Sequence, residues 1–265
     1  MTSSLHTTFG GSIPEYYDRC VGAAWFGPFG RALVEHVPKD PGGDVLEIAC
    51  GTGLVTQALR EKLAPSRKLV ATDLSKAMID YARAKLSALP GIEWREADGT
   101  KLPFRDGEFG AVVCALGMMF MPDKKAAFSE AHRVLQRGGM VALSTWDRIE
   151  ENLCAQVYAE TIESLFPGDE EVRFRLPWSM HDEKEIERYL EGAGFHSIRI
   201  EKKRLPVTGD ARTIATGQVR GTPRGSMLEK KGMPMEEAID RVTAALEKVL
   251  DRAYAQGLLA TAIRP

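Results

Sequence analysis

The 265-residue chain has few cysteines and no long apolar run. Its four cysteines, Cys20, Cys50, Cys114 and Cys154, lie far apart, and none belongs to a Cys-x-x-Cys pair. This spacing argues against a zinc module and against a disulfide scaffold. No segment reaches the roughly 18 apolar residues of a membrane-spanning helix. We therefore expect no metal site and no membrane span.

The chain also lacks an excess of charge of either sign. It has 35 basic and 37 acidic residues, a formal net charge of −2. Such a balance does not favour a nucleic acid or an anionic membrane as partner. The first residues lack the basic and apolar regions of a signal peptide, so we expect a cytoplasmic protein. Residues 1–14 are polar and rich in Gly, Ser and Thr, and they predict a mobile tail before a single domain over residues 15–265.

Short apolar segments alternate with helical patterns in the first half of the chain. Buried strands are predicted at residues 45–49, 68–73, 111–116 and 140–144, and an edge strand at 92–95. Two further strands follow, near residues 198–200 and 258–263. This rhythm predicts an α/β fold with a doubly wound, mostly parallel, seven-stranded sheet. Residues 151–181 and 208–250 interrupt the rhythm, and we expect them to form two cover insertions over a substrate site.

The segment between the first strand and the first helix carries the clearest chemical signal, Gly51-Thr52-Gly53. Glycine there lets a ligand approach the backbone closely. A dinucleotide site needs a third small residue where Thr56 stands, and the Gly-Lys-Ser/Thr of a phosphate loop is absent. The loop therefore favours a nucleoside without a pyrophosphate. A tight turn without a ligand is the alternative interpretation.

Three acidic residues end the first three strands. Glu47 lies beside the loop, Asp73 follows Gly53 by 20 residues, and Asp98 follows the third strand. Asp73 is placed to accept ribose hydroxyls, Asp98 an exocyclic amino group, and Glu47 an ammonium group or the loop itself. One such acid alone is usually a cap or a solvated charge. Three of them around one glycine loop predict a single pocket.

Together these segments resemble the class I S-adenosylmethionine-dependent methyltransferases, in particular the small-molecule ubiquinone/menaquinone-biosynthesis branch. The resemblance rests on residues 45–53, 71–78, 97–104, 130–139 and 191–195. Two positions depart from the family pattern. Ala49 replaces the first loop glycine, and Arg137 stands where a proline usually precedes a glycine pair.

The resemblance implies a Rossmann-like fold and S-adenosylmethionine as cofactor, with S-adenosylhomocysteine as product. It also implies methyl transfer to an oxygen, nitrogen or activated carbon of a small molecule by in-line displacement. The implied cofactor-binding residues are Tyr17, Glu47, Gly51, Thr52, Gly53, Asp73, Leu74, Met78, Asp98, Gly99, Ala115 and Leu116.

The acceptor side carries weaker signals. Candidate orienting residues are His132, His181, Trp146 and Tyr158, and none is assigned as a catalytic base. Methionine and aromatic residues near the predicted mouth predict a flat, apolar acceptor. The segment 114–118 lacks the signatures of nucleic-acid methylation and the carboxylates of metal-assisted catechol methylation. Two other classes stay open: a non-catalytic nucleoside-binding or partner-subunit protein, and a nicotinamide-dependent oxidoreductase, against which the missing third glycine argues.

Overall fold

A computed structural model describes residues 11–173 and 175–265. Residues 1–10 of the predicted mobile tail lie outside the described residues. Ile13 and Pro14, which were predicted to belong to that tail, already form the start of helix α1. Pro14 is buried there, so the ordered part of the chain begins earlier than residue 15.

The centre of the structure is a seven-stranded sheet, as predicted. Its strands are β1 (Asp44–Ile48), β2 (Leu69–Asp73), β3 (Ile92–Glu96), β4 (Phe109–Ala115), β5 (Leu135–Trp146), β6 (His196–Pro206) and β7 (Tyr254–Ile263). The order across the sheet is β3-β2-β1-β4-β5-β7-β6. Strands β1 to β5 pair in parallel, and β7 is antiparallel to both β5 and β6. The carboxyl ends of β1 to β4 therefore meet at one edge of the sheet, where doubly wound folds bind ligands.

Ten α-helices lie in the described part of the chain: α1 (Ile13–Tyr16), α2 (Gly27–Glu35), α3 (Leu54–Lys62), α4 (Lys76–Lys85), α5 (Lys124–Val134), α6 (Leu153–Ser164), α7 (Glu183–Gly192), α8 (Ala211–Arg220), α9 (Pro223–Lys230) and α10 (Met235–Leu246). A π-helical segment, Tyr17–Phe26, joins α1 to α2. Helix α2 packs on α3, α5 on α7, and α10 on both α6 and α8. None of the described helices is long and apolar enough to cross a bilayer.

Burial follows the pattern that the sequence predicts. The central strand β4 is buried from Phe109 to Cys114, whereas the edge strand β3 alternates between half-buried and exposed residues. Two helices, α4 and α5, begin at residues whose side chains cap them. The Ser75 hydroxyl accepts the Met78 N–H, and the Asp123 carboxylate accepts the Ala126 N–H.

A glycine pair is a common helix stop, but α5 already ends at Val134 and β5 begins at the next residue, before the pair at 138–139. The pair instead lies in a bulge, because the pairing of β5 with β4 skips from Leu135 to Met140. Likewise, the glycine and proline content of residues 209–234 indicates a connection, yet this stretch contains α8 and α9.

Two glycines of that stretch, Gly217 and Gly225, serve close packing rather than turns. A Cβ at Gly217 would lie 2.6 Å from the Cβ of Cys20, and one at Gly225 would lie 2.4 Å from the Val219 carbonyl oxygen. Helix α8 also has a regular start, because the Asp210 carboxylate accepts the Thr213 N–H at 2.8 Å. The composition of the segment concealed two short, tightly packed helices.

Candidate functional site

A cavity of about 330 Å³ opens at the carboxyl ends of the parallel strands. Ala49 and Gly51 follow β1, Asp73 ends β2, Asp98 follows β3, and Ala115 ends β4, and all five line this cavity. The site therefore lies where the sheet topology places it.

Nine of the twelve predicted cofactor residues line the cavity: Tyr17, Gly51, Asp73, Leu74, Met78, Asp98, Gly99, Ala115 and Leu116. The structure does not bring Glu47, Thr52 and Gly53 to its surface. Glu47 and Thr52 are each 1% exposed. A Cβ at Gly53 would meet Leu86 and Ala82 at 3.0 and 3.1 Å, so this glycine permits packing against α4. Glu47 therefore lies behind the loop, and Thr52 and Gly53 belong to the part of the loop that faces the interior.

The loop has an unusual backbone. Ala49, Gly51 and Gly53 all have positive φ angles, of 57°, 52° and 78°. An alanine in this region costs roughly 1 kcal/mol relative to glycine, so the departure from the family pattern at Ala49 retains the backbone shape at the expense of strain. A Cβ at Gly51 would meet nothing within 4 Å, because that direction points into open space beside the loop. The backbone at Gly51 is therefore accessible to a ligand.

Asp73 fixes this loop and keeps capacity for a ligand. One carboxylate oxygen accepts the Gly51 N–H and the other accepts the Ser75 N–H, both at 2.8 Å. Each oxygen retains a second lone pair, which suits the two neighbouring hydroxyls of a ribose. Burial raises the pKa of Asp73, and the N–H groups of Ser75, Gly51 and Leu74 oppose that rise. Burial raises the pKa of Tyr17 as well, and the Asp73 carboxylate adds to this shift.

Asp98 also presents an acceptor beside the cavity. Its Oδ1 accepts both the backbone N–H of Thr100 at 2.8 Å and the Thr100 hydroxyl at 2.7 Å. These bonds fix the side chain, and Oδ2 makes no hydrogen bond to the residues that the structure describes. The arrangement suits an exocyclic amino group of a base.

Exposed apolar side chains complete the cavity. Leu74 is 48% exposed and Tyr254 is 42% exposed, and both line the cavity. They are the exposed large hydrophobic side chains of the described chain. Exposed apolar surface within a concave site is typical of ligand contact. Leu74 directly follows Asp73, so an adenine ring attached to a ribose held there would reach it.

Glu47 is a buried carboxyl group close behind the loop. Burial raises its pKa to about 8, the Thr56 hydroxyl opposes this rise, and the charge of Asp73 adds to it. Its Oε2 has no hydrogen-bond partner among the described residues. With a pKa of about 8, Glu47 keeps its proton at neutral pH.

The candidate orienting residues fall into two groups. Trp146 and Tyr158 line the cavity. His181 does not, and its Nδ1 is bonded to the Trp178 carbonyl oxygen at 2.8 Å. His132 packs edge-on against Phe195, away from the cavity.

Sequence reasoning missed several lining residues. Trp25 and Phe26 lie in the π-helical segment. Gln218 lies on α8, Arg224 lies on α9, and Tyr254 begins β7. The second cover insertion, residues 208–250, was predicted as a segment without assigned residues. Recognising α8 and α9 from their Asp210 cap would have placed Gln218 and Arg224 on helices.

Comparison with known proteins agrees with this geometry. Residues 45–139 match a family model described as a methyltransferase domain. The chain is 27% identical over 169 residues to demethylmenaquinone methyltransferase of Staphylococcus aureus, which covers 60% of this chain and 70% of that protein.

Solved structures share the fold. A putative methyltransferase from Bacillus halodurans is 20% identical with a TM-score of 0.58, covering 89% of this chain and 98% of that chain. Phosphoethanolamine N-methyltransferase 2 of Haemonchus contortus, solved with S-adenosyl-L-methionine, is 15% identical with a TM-score of 0.61, covering 95% and 56%.

The residues present fit S-adenosylmethionine as the cofactor. The Asp73 oxygens keep two free acceptor positions, Gly51 leaves room at the backbone, and the carboxylates around the site favour a positively charged sulfonium. The glycine loop, the acidic strand ends and the sheet order agree with the comparisons: residues 45–139 match a methyltransferase domain, and the chain is similar to S-adenosylmethionine-dependent methyltransferases.

Proposed function

We propose that this enzyme methylates a small, flat, apolar acceptor that is held between the glycine loop and the two cover insertions. The observation that carries the proposal is the aromatic lining of the cavity. Trp25 and Phe26 of the π-helical segment, Trp146 of β5, and Tyr158 and Trp178 of the first cover insertion all line it. Aromatic walls of this kind favour a flat ring by area burial and by stacking or edge contacts.

The cofactor side of the proposal assigns one role to each residue. Asp73 accepts the ribose hydroxyls, Leu74 and Met78 flank the adenine, and Asp98 accepts the adenine amino group. The backbone at Gly51 passes beneath the methionine portion and the ribose. Gly99, Ala115 and Leu116 close the remaining sides, and Tyr17 covers the bound nucleoside near Asp73. Glu47 supports the loop from behind, and Thr52 and Gly53 give the loop its shape.

The aromatic walls are fixed in place by one another. The ring of Trp146 lies edge-on to Phe26 at 5.5 Å and to Phe29 at 4.9 Å, between ring centroids. Tyr17 is 4.9 Å from Phe26. This cluster links the cofactor side of the cavity to the acceptor side, so an acceptor that packs against it is held close to the bound nucleoside.

The chain's contribution to the reaction is orientation and exclusion of water. S-adenosylmethionine supplies a methyl group on a sulfonium, which is already activated for displacement. The protein has to hold the acceptor atom in line with the methyl–sulfur bond, and this effect alone accounts for a large share of many rate enhancements. Burial raises the pKa of the Cys154 thiol to about 11 and also raises that of Tyr158, so neither is a ready base at neutral pH.

The proposal is tested by labelled-methyl transfer from S-adenosylmethionine to two groups of acceptors. One group contains naphthols, catechols and indoles, and the other contains small hydrophilic acids. We expect turnover of the aromatic group. Turnover of hydrophilic acids alone would contradict the proposed acceptor. Titration with NADH should show no binding, because Thr56 occupies the position of the third small residue.

A paired substitution separates acceptor binding from folding. Trp178→Ala removes one aromatic wall of the cavity and should raise KM for the aromatic acceptor while leaving KM for S-adenosylmethionine unchanged. Tyr189→Ala is the control, since Tyr189 stacks on Phe128 outside the cavity with ring centroids 5.3 Å apart. Equal effects of the two substitutions on the acceptor KM would show that Trp178 does not contact the acceptor.

A further inference from the structure

A small polar cluster interrupts the aromatic wall on the cover side of the cavity. It consists of Tyr158 on α6, Gln218 on α8 and Arg224 on α9, and all three line the cavity. The Tyr158 hydroxyl donates a hydrogen bond to the backbone carbonyl oxygen of Gln218 at 3.0 Å. The Arg224 guanidinium carbon lies 5.0 Å from the centroid of the Tyr158 ring. Three helices therefore bring these side chains to one place.

The cluster is almost completely withdrawn from solvent. Tyr158 is 2%, Arg224 5% and Gln218 9% exposed. The Gln218 side-chain amide makes no hydrogen bond to the described residues and lines the cavity, so its donors are available to a ligand. Burial of a guanidinium is costly and arginine is seldom buried without a specific role. A cation held in an apolar wall attracts anions strongly, because little water screens it.

The charges that line the cavity are separated by sign. Among the described lining residues, the carboxylates are Asp73 and Asp98, and both lie at strand ends. Arg224 is the only lysine or arginine among these described lining residues. The acidic side matches the positive charge of the methyl donor. The basic side then matches a negative charge on the other reactant.

We propose that Arg224 and Gln218 bind a carboxylate carried by the aromatic acceptor and thereby orient the ring toward the cofactor. This inference rests on the proposed function and adds a charged group to the acceptor. The planar guanidinium binds carboxylates with two parallel hydrogen bonds, and the Gln218 amide supplies a further donor. Tyr158 is a positioning residue: its ring supports the guanidinium face and its hydroxyl fixes the backbone of Gln218.

The test uses two ligands of nearly equal shape that differ in charge, 1-naphthoate and 1-naphthalenemethanol. Their binding is measured by calorimetry, with and without saturating S-adenosylhomocysteine. The wild-type protein should bind the carboxylate at least about tenfold more tightly than the alcohol, as expected for a charge-assisted contact. Arg224→Met should remove that preference and leave binding of the alcohol within about twofold. Arg241→Met is the control, because it removes an equal charge from the exposed face of α10.

A second variant keeps the proposal testable if Arg224→Met does not fold. Gln218→Glu retains the size of the side chain and adds a negative charge, so it should weaken naphthoate binding selectively. Equal affinity of the wild-type protein for the two ligands, or an unchanged preference in both variants, would overturn the proposal.

The calorimetry also separates this proposal from the proposed function. If S-adenosylhomocysteine binds and the carboxylate preference is absent, the polar cluster has no role in acceptor binding and the cofactor site stands. If the nucleoside does not bind but Arg224→Met still removes a preference for naphthoate, the anion site stands and the proposed function fails.

Discussion

Replacement of Asp73 by alanine tests the cofactor site most sharply. In the structure the two carboxylate oxygens each accept one backbone N–H at 2.8 Å, from Gly51 and from Ser75. Two lone pairs remain for the two ribose hydroxyls. A hydrogen bond to a charged group contributes about 1.5–3 kcal/mol, so loss of both should weaken S-adenosylhomocysteine binding by about 3 kcal/mol, on the order of 100-fold in Kd.

A matched ligand separates this loss from loosening of the loop. Calorimetric titration of S-adenosylhomocysteine and of its 2′,3′-dideoxy analogue gives a thermodynamic cycle with the variant. The wild-type protein should prefer the hydroxylated ligand by roughly 100-fold, and Asp73→Ala should show almost no preference. Asp80→Ala is the control, because Asp80 lies exposed on the helix that follows Asp73, α4, in an ion pair with Lys76.

The cycle has a clear contrary result. If Asp73→Ala weakens both ligands equally, Asp73 acts on the loop alone and the ribose lies elsewhere. If it weakens neither ligand, Asp73 is not part of the nucleoside site at all.

Three further predictions concern stability and the cover insertions. Because burial raises the folded-state pKa of Glu47 to about 8, above the unfolded value near 4.5, the wild-type protein loses stability as pH rises between these values. In urea denaturation, the free energy of unfolding of Glu47→Gln, relative to that of the wild-type protein, should rise by roughly 2–3 kcal/mol from pH 6 to pH 9. The exposed Glu61→Gln is the control and should show no such rise. A Cβ at Gly117 would lie 2.6 Å from the Cβ of Ala49, so Gly117→Ala should lower the free energy of unfolding by about 2 kcal/mol in thermal unfolding. Adding Ala49→Gly should restore part of this loss. Additive effects of the two substitutions would show that the two sites do not touch. Lys231 forms ion pairs with Asp169 at 2.5 Å and with Glu171 at 3.0 Å. Lys231→Met should therefore accelerate proteolysis near residues 165–173 while changing the global free energy of unfolding by less than about 1 kcal/mol. An unchanged cleavage rate would show that these ion pairs do not hold the segment in place.

The parallel half of the fold could be predicted because its signals are local. Residues 111–116 form an unbroken apolar run, which is typical of a central parallel strand, and the acidic residues at strand ends follow from the topology. The caps at Ser75 and Asp123 are likewise local, because serine and aspartate are residue types that favour the N-cap position. The nine predicted residues that line the cavity were predicted either from their position at a strand end or from the resemblance to the methyltransferase family.

The errors arose where tertiary packing overrides composition. Gly217 and Gly225 indicate a flexible connection by composition, yet both lie in helices. They are glycines because neighbouring atoms leave no room for a side chain. The cavity contacts of Gln218 and Arg224 depend on how α8 and α9 pack on α6, which no local pattern encodes. Glu47 was placed correctly beside the loop and Thr52 within it, but sequence spacing does not show which side chains face a ligand and which face the interior.

The central claim is that one nucleoside occupies the strand ends around the glycine loop. A crystal structure of the protein grown with S-adenosylhomocysteine tests it most directly. We expect the ribose hydroxyls on the Asp73 carboxylate, the adenine against Leu74, and the sulfur facing the aromatic cluster. Electron density for the nucleoside outside this cavity, or inside it with the ribose remote from Asp73, would contradict the account.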